Sequence, residues 1–313
     1  MTKFKTNKNT CAFIDVLGYG DIVLTTERST DKKIQMLDSI FSNLQSSISL
    51  YTLKNINDKF GKKNDLFIKS FSDSVFIDAN EPYTILFSLY TIFSVVFGYY
   101  TNFNFEEKCT VLIRAGIVKD WTLRIMDLAS LVNHPIKTIA KKKELKNIVG
   151  LGVARAYYTS EKSGLSGMRI IISPEVLEDF ELTTYNEVPF ECYCFEGNNL
   201  LYNPNLTKDT EKVKLFFLPI RQNEKGENVN LFELCWPVYK YSWSNNKIDI
   251  HTFVNEIIKI EPFYNSENIR HLRKTAELLY KSFEIALTID SDAYSAEDIK
   301  FAREKLKLIA NIK

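Results

Sequence analysis

The amino-acid sequence predicts an α+β fold, a sheet of short strands covered by helices, followed by a C-terminal α/β extension. Three observations lead there. Apolar runs of strand length alternate with stretches of helical periodicity up to about residue 175, in the order strand, helix, strand, strand, helix, strand, helix, strand. Two of the runs, Leu66–Phe71 and Val75–Asp78, are separated only by Ser72-Asp73-Ser74, which makes a hairpin and so an antiparallel pair. From Leu182 to Pro189 the texture changes, and the remaining residues read as strands and then helices, so the chain divides into residues 1–182 and an extension over 183–313. The expected layering is an antiparallel sheet with its helices on one face.

Along the chain, Cys11 to Val16 is an apolar run broken by one acid, Asp15; two glycines, Gly18 and Gly20, lead from it into Asp21-Ile22-Val23-Leu24, which begins as a helix. Asp31 to Tyr51 carries Ile34, Leu37, Ile40, Phe41, Leu44, Ile48 and Tyr51, the spacing of one buried helical face. A charged loop over Lys54 to Asn64 precedes the hairpin. Tyr83 to Tyr100 holds no charge over eighteen residues, the lower limit of a bilayer span. Its Thr84, Ser88, Thr91 and Ser94, with Glu81-Pro82 in front, predict instead a helix buried against the sheet. Cys109 to Val118 reads as a strand containing Arg114 and Gly116, and Trp121 to Lys146 as loop-rich. Gly150 to Ser160 reads as a helix entered through glycines, and Met168 to Ser173 as a strand stopped by Pro174. In the extension, Val213–Ile220 and Val229–Trp236 are strand-like, Ile269, Leu272, Ala276, Leu279 and Phe283 mark one apolar helical face, and Ser295 with Asp298 has the form of a capping box.

Composition excludes several classes. The formal net charge is +1, from 40 basic and 39 acidic residues, which gives no steering toward nucleic acid or a membrane surface. Cys11 and Cys109 lie in apolar runs where a thiol acts as a small hydrophobe, and Cys192-Tyr193-Cys194 lacks a second Cys/His pair at zinc spacing. Three histidines rule out a histidine-rich metal centre. Met1 to Thr10 is polar and lysine-rich with no apolar signal region behind it, so the expected location is cytoplasmic.

Chemistry concentrates on two acids. Asp15 ends the first apolar run, and a carboxylate there is costly unless compensated, by a cation or as a cap at the strand end. Asp73 sits in a turn rich in turn formers, which is its ordinary use. If the two strands are neighbours, both carboxylates project from one sheet edge beside a glycine turn. That is a cradle for two divalent cations, which lower the pKa of an attacking hydroxyl and neutralise a triphosphate.

Taken together, FIDVLGYG, the KSFSDS hairpin, IRAGI, GLGVARAYY and RIIIS resemble the class III nucleotidyl cyclases. Within them the sequence is most similar to the pyrimidine nucleotide cyclases of the Pycsar antiphage systems, over roughly residues 11–175. The matching segments are Ala12 to Tyr19, Ser72 to Ser74, Arg114 to Ile117 and Gly150 to Tyr157. The resemblance implies a ferredoxin-like cyclase sheet in a bacterial cytoplasmic protein. It implies Asp15 and Asp73 as catalytic residues and, with Val16, as metal ligands for two Mn²⁺ or Mg²⁺ per active site. It places Phe13, Gly18, Lys69, Asn147, Arg155 and Tyr158 on the substrate. Lys69 falls where purine cyclases read the base, its alternative being a solvent-facing strand lysine; Asn147 falls at their second base contact; Arg114 is expected to be structural.

One departure stands out. Ala154 and Tyr158 occupy the positions where purine cyclases use an Asn and an Arg, so the missing charge is expected from Arg155 or from the lysines at 141, 142, 143 and 146, a cluster otherwise read as a solvated face. The implied reaction converts UTP, favoured over CTP, into the 3′,5′-cyclic nucleotide (cUMP over cCMP) and diphosphate. The product would serve as a second messenger for a cyclic-nucleotide-gated effector in antiphage defence. A homodimer with sites at its interface is implied, with no nucleic-acid or direct membrane contact. An adenylate cyclase, suggested by Lys69, and a catalytically silent nucleotide-binding module, suggested by Ala154 and Tyr158, are the alternatives.

Overall fold

The computed structural model describes residues 8–18, 66–71, 74–96, 112–124, 148–181, 184–185, 188–196, 199–202, 213–238, 251, 254–255, 257–258, 269–289 and 294–311. The helices expected over 21–24 and 31–51, the loop over 54–64, Ser72, Asp73, the lysines at 141–146 and Asn147 lie outside the described residues.

Strand β1, Lys8–Val16, is the centre of the sheet, and its alternation decides the layers. Ala12, Ile14 and Val16 enter one core, while Cys11 and Phe13 enter a second core on the opposite face. Helix α1, Pro82–Val96, covers the first face with Ile85, Leu86, Leu89, Ile92 and Phe93, all fully buried. Helix α2, Leu151–Tyr157, covers the second through Ala156. Helices therefore lie on both faces, not one. The signal was in the sequence: Cys11 to Val16 is apolar at nearly every position, the pattern of a strand buried on both sides.

On one flank β1 pairs antiparallel with β3, Ser74–Ala79, which pairs with β2, Leu66–Phe71, as the expected hairpin. On the other it pairs with β4, Ile113–Trp121, which runs parallel to β7, Ile170–Ile172. The sheet is thus mixed rather than antiparallel, because β7 is reached through a helical crossover and not through a tight turn. Between them β5, Leu123–Arg124, and β6, Ile148–Val149, form a small separate ribbon. Helix α3, Pro174–Glu181, comes directly after β7.

The strands after residue 182 continue the same sheet. They are β8, Thr184–Tyr185, β9, Val188–Glu196, β10, Asn199–Tyr202, β11, Val213–Gln222, and β12, Asn228–Leu234. The order is β10-β9-β11-β12-β7-β4-β1-β3-β2, with β8 on β9 and β9 parallel to β11. Residue 182 marks no break in the sheet: β12 covers the edge that β7 would otherwise expose. Met168, Ile170, Leu234, Trp236, Leu272 and Phe283 share one core. Helix α4, Ile269–Ile289, buries the predicted Leu272, Ala276, Leu279 and Phe283. It is pinned to the start of β7 by Gly167 N–H donating to His271 Nδ1 (3.2 Å) and Met168 N–H donating to Thr275 Oγ1 (2.8 Å). Burial holds the His271 imidazole at about 4, neutral and able to accept. Helix α5, Ala296–Ala310, opens on the predicted Ser295–Asp298 capping box. Among the described residues no helix is long and apolar enough to cross a membrane.

Candidate active site

The register lays two rows across the face of the sheet that α2 covers. One row runs Lys69, Phe76, Phe13, Gly116, Ile171, Glu233; the next holds Ser74, Asp15 and Arg114. Asp15 points to the α2 side because Phe13 and Cys11 do. Its side chain is 15% exposed, and Arg114 stands 3.9 Å from its Oδ2. Ser74 Oγ donates to Asp15 Oδ1 at 3.3 Å. Arg114 is buried; its Nη1 donates to the Leu165 carbonyl (2.6 Å) and its Nη2 to Glu161 Oε1 (2.9 Å).

Glu161 reaches this place through a local geometry. After α2 the helix widens into a π-turn, Tyr158–Lys162, whose backbone lies directly on β4. A Cβ at Gly116 would meet Ser160 N at 2.5 Å and Ala156 O at 2.7 Å, so only glycine lets the turn settle there. Burial alone would push the Glu161 carboxyl up, but its hydrogen bond with Asp15 and the Arg114 guanidinium outweigh that and hold it below the usual range. Two carboxyls thus converge on one guanidinium.

The other expected residues divide. At the end of β1, Gly18 has φ 72°, a left-handed conformation that suits glycine, and Leu17 N–H donates to the Leu112 carbonyl at 2.8 Å. Val16 itself is a core side chain, so only its backbone is available at that end. Phe13 is 9% exposed and meets Tyr157 edge-on at 5.4 Å. Its ring packs the second core rather than an open substrate surface, because position 13 faces inward beneath α2. Lys69 shares the Asp15 face, two strands over and one row along, about 12 Å away by strand geometry.

Arg155 is drawn elsewhere. It pairs with Asp120 (2.8 Å) and with Glu175 at the far end of β4, roughly 20 Å along the strand from Arg114. Within one chain it does not join Asp15. Tyr158 is 63% exposed and stacks edge-on with Tyr157 at 5.8 Å. Asp73 and Asn147 lie outside the described residues, but Ser74, the chain neighbour of Asp73, stands opposite Asp15 in the register. Among the described residues no group of three or more His, Cys, Asp or Glu is placed to hold a metal ion. Among the described residues the donors here that fit a hard divalent cation are the carboxylate oxygens of Asp15.

Sequence reasoning did not find Glu161 or Ser74 as partners of Asp15. A glycine inside the strand at 116 was the available signal, since such a glycine marks close approach of another backbone.

The chain matches no protein-family model and none of the curated proteins. Solved structures that it resembles are adenylyl and guanylyl cyclase domains. The adenylyl cyclase CyaB from P. aeruginosa is 14% identical with a TM-score of 0.40, over 74% of this chain and 94% of that one. The guanylate cyclase domain of RhGC from Catenaria anguillulae, in complex with GTP, is 11% identical with a TM-score of 0.41, over 73% and 96%. The guanylyl cyclase domain of the RhoGC fusion protein from Blastocladiella emersonii is 11% identical with a TM-score of 0.38, over 57% and 88%. Likeness of this size carries no argument and leaves the chemistry to the chain's own residues.

Proposed function

We propose that the chain is a pyrimidine nucleotide cyclase, converting UTP in preference to CTP into the 3′,5′-cyclic nucleotide and diphosphate. The observation that carries the reading is Asp15: a part-open carboxylate at the end of a central strand, beside the left-handed Gly18 turn and opposite the hairpin that holds Asp73. Divalent cations, Mn²⁺ or Mg²⁺, held by Asp15 and Asp73 would activate the ribose hydroxyl and neutralise phosphate charge. In the reaction the 3′-oxygen loses its proton and bonds to the α-phosphorus while the bond to diphosphate breaks. Arg114 keeps Glu161 ionised and fixed beside Asp15. Lys69, on the same face, would read the base.

The outer face of α2 supports a homodimer with shared sites. Leu151 and Tyr158 are 51% and 63% exposed, and with Ala154 and Arg155 they form a stripe at helical spacing, next to Val149 at 51%. A second copy seated there would bring Arg155 and Tyr158 to a partner's Asp15. The product would act as a second messenger on a cyclic-nucleotide-gated effector in antiphage defence.

The test is incubation with ATP, GTP, CTP and UTP in Mn²⁺, with the products identified. A cyclic pyrimidine nucleotide from the wild type, and none from Asp15→Ala or Asp73→Ala, is the expected result. Cyclic AMP would make it an adenylate cyclase, and binding without turnover a sensing module.

A further inference from the structure

A cavity of about 360 Å³ opens on the α2 side of the sheet, beyond Leu165, the residue whose carbonyl holds Arg114. Asp15 does not line it. Its walls are β11 and β12, the approach to β7, and the Lys274, Glu277, Lys281 stripe of α4.

The charges on those walls do not cancel. Arg169, Arg221, Lys274 and Lys281 stand against Glu224, Glu233 and Glu277, an excess of one positive charge. Glu224 is turned to the Ser166 N–H (2.6 Å) and hydroxyl (2.8 Å). Glu277 alone accepts from both Lys274 (2.7 Å) and Lys281 (2.8 Å); burial opposes its ionisation, yet the two ammonium groups hold it at about 2. Burial pushes the Glu233 carboxyl up against the pull of Arg169.

At the base of the cavity the Arg169–Glu233 pair is only half made. Arg169 Nη1 donates to Glu233 Oε2 at 3.3 Å, while Arg169 Nε and Glu233 Oε1 are buried without a hydrogen-bond partner. The two residues are 8% and 4% exposed. Buried polar atoms left in that condition are costly and mark a place where a ligand or an ion completes the set. A cationic excess around an incompletely bonded arginine selects an anion, and the volume suits a compact one.

We propose that this cavity is a second binding site, separate from the nucleotide site, for a small multiply charged anion bearing phosphate or carboxylate groups. Its position gives it a route to the active site. Arg169 directly precedes β7, and its carbonyl accepts from Ala115 N–H, the residue after Arg114, at 2.8 Å. An anion that draws Arg169 from Glu233 therefore acts one strand from the Arg114–Glu161–Asp15 group.

Calorimetric titration of the full chain with inorganic phosphate, and separately with citrate, tests the site. Protein and buffers are first passed over a chelating resin, so no divalent cation can recruit either anion to Asp15. Saturable binding of at least one of them is expected, and which one binds identifies the preferred group. Arg221→Gln and Lys281→Gln, both at exposed positions, each weaken it about tenfold. Asp15→Asn leaves it unchanged, even if the cyclase reading itself fails. Absence of binding by both anions, full affinity in both charge variants, or loss in Asp15→Asn overturns the proposal.

Discussion

Two carboxylates on one sheet face, Asp78 and Asp15, are held in opposite ways. Asp78 is fully buried and surrounded by neutral donors: Thr122 Oγ1 at 2.7 Å, Asn9 Nδ2 at 3.2 and 3.3 Å, and Cys11 Sγ at 3.4 Å. Asp15 is part-open, with Ser74 Oγ at 3.3 Å, the Arg114 guanidinium at 3.9 Å and a second carboxyl beside it. The difference separates two uses of an acid. Short neutral donors solvate a charge in place and fix the chain around it, at β1, β3 and the end of β4 together. A part-open carboxylate among charged neighbours is instead within reach of solvent and of a ligand.

The largest effect expected from this contrast is on turnover. Asp15→Asn lowers Mn²⁺-dependent cyclisation by about a thousandfold, the scale of losing a preorganised charge at the reacting centre. The same variant shifts stability in urea by less than about 1 kcal/mol, since Arg114 keeps Glu161 as its partner. Asp78→Ala reverses the pattern. It leaves the Asn9 amide and the Thr122 hydroxyl only each other and costs about 1–3 kcal/mol of unfolding free energy, while the folded fraction retains its turnover. If Asp78→Ala abolished turnover without lowering stability, the contrast would be broken.

Much of the fold was legible, and the illegible part has a physical cause. The hairpin 66–79, the charge-free α1, the apolar stripe of α4 and the capping box of α5 all arise from local periodicity and cap chemistry, which act within a few residues. Strand direction depends on long connections, so the parallel β4–β7 pair did not show. The joining of β12 to β7 was hidden for the same reason: two strands near residues 171 and 233 pair only because the sheet edge needs covering. At the candidate site, Asp15 stood out as the one acid in an apolar run. Glu161 did not, because its role depends on a π-turn and on the empty space at Gly116.

That empty space yields the next prediction. Gly116→Ala places a methyl where Ser160 N and Ala156 O now lie, 2.5 and 2.7 Å away, and neither is the end of a flexible side chain. The π-turn must lift from β4, at a cost of about 1–3 kcal/mol. Glu161 rides on that turn, so turnover falls as well, in contrast to Asp78→Ala. Urea unfolding and the cyclase assay on the same preparation distinguish the two. A Gly116→Ala protein with native stability would mean that the turn does not rest on the strand.

The smallest effect is one of pH. The Glu161 carboxyl is held below its ordinary value of 4.5 despite its burial, by its hydrogen bond with Asp15 and by the Arg114 guanidinium. A depressed carboxyl contributes stability that is fully present above its unfolded value and is lost as pH falls through the folded one. The wild type therefore weakens progressively below about 4.5, and Glu161→Gln flattens that part of the acid limb. With a side chain 23% exposed, the share carried by this group is no more than about 1 kcal/mol. Unfolding free energies measured from pH 7 down to pH 3 on both proteins give the difference. Parallel acid limbs would show that Arg114 does not hold Glu161 as an ion, and would remove the charged partner that sets Asp15 apart from Asp78.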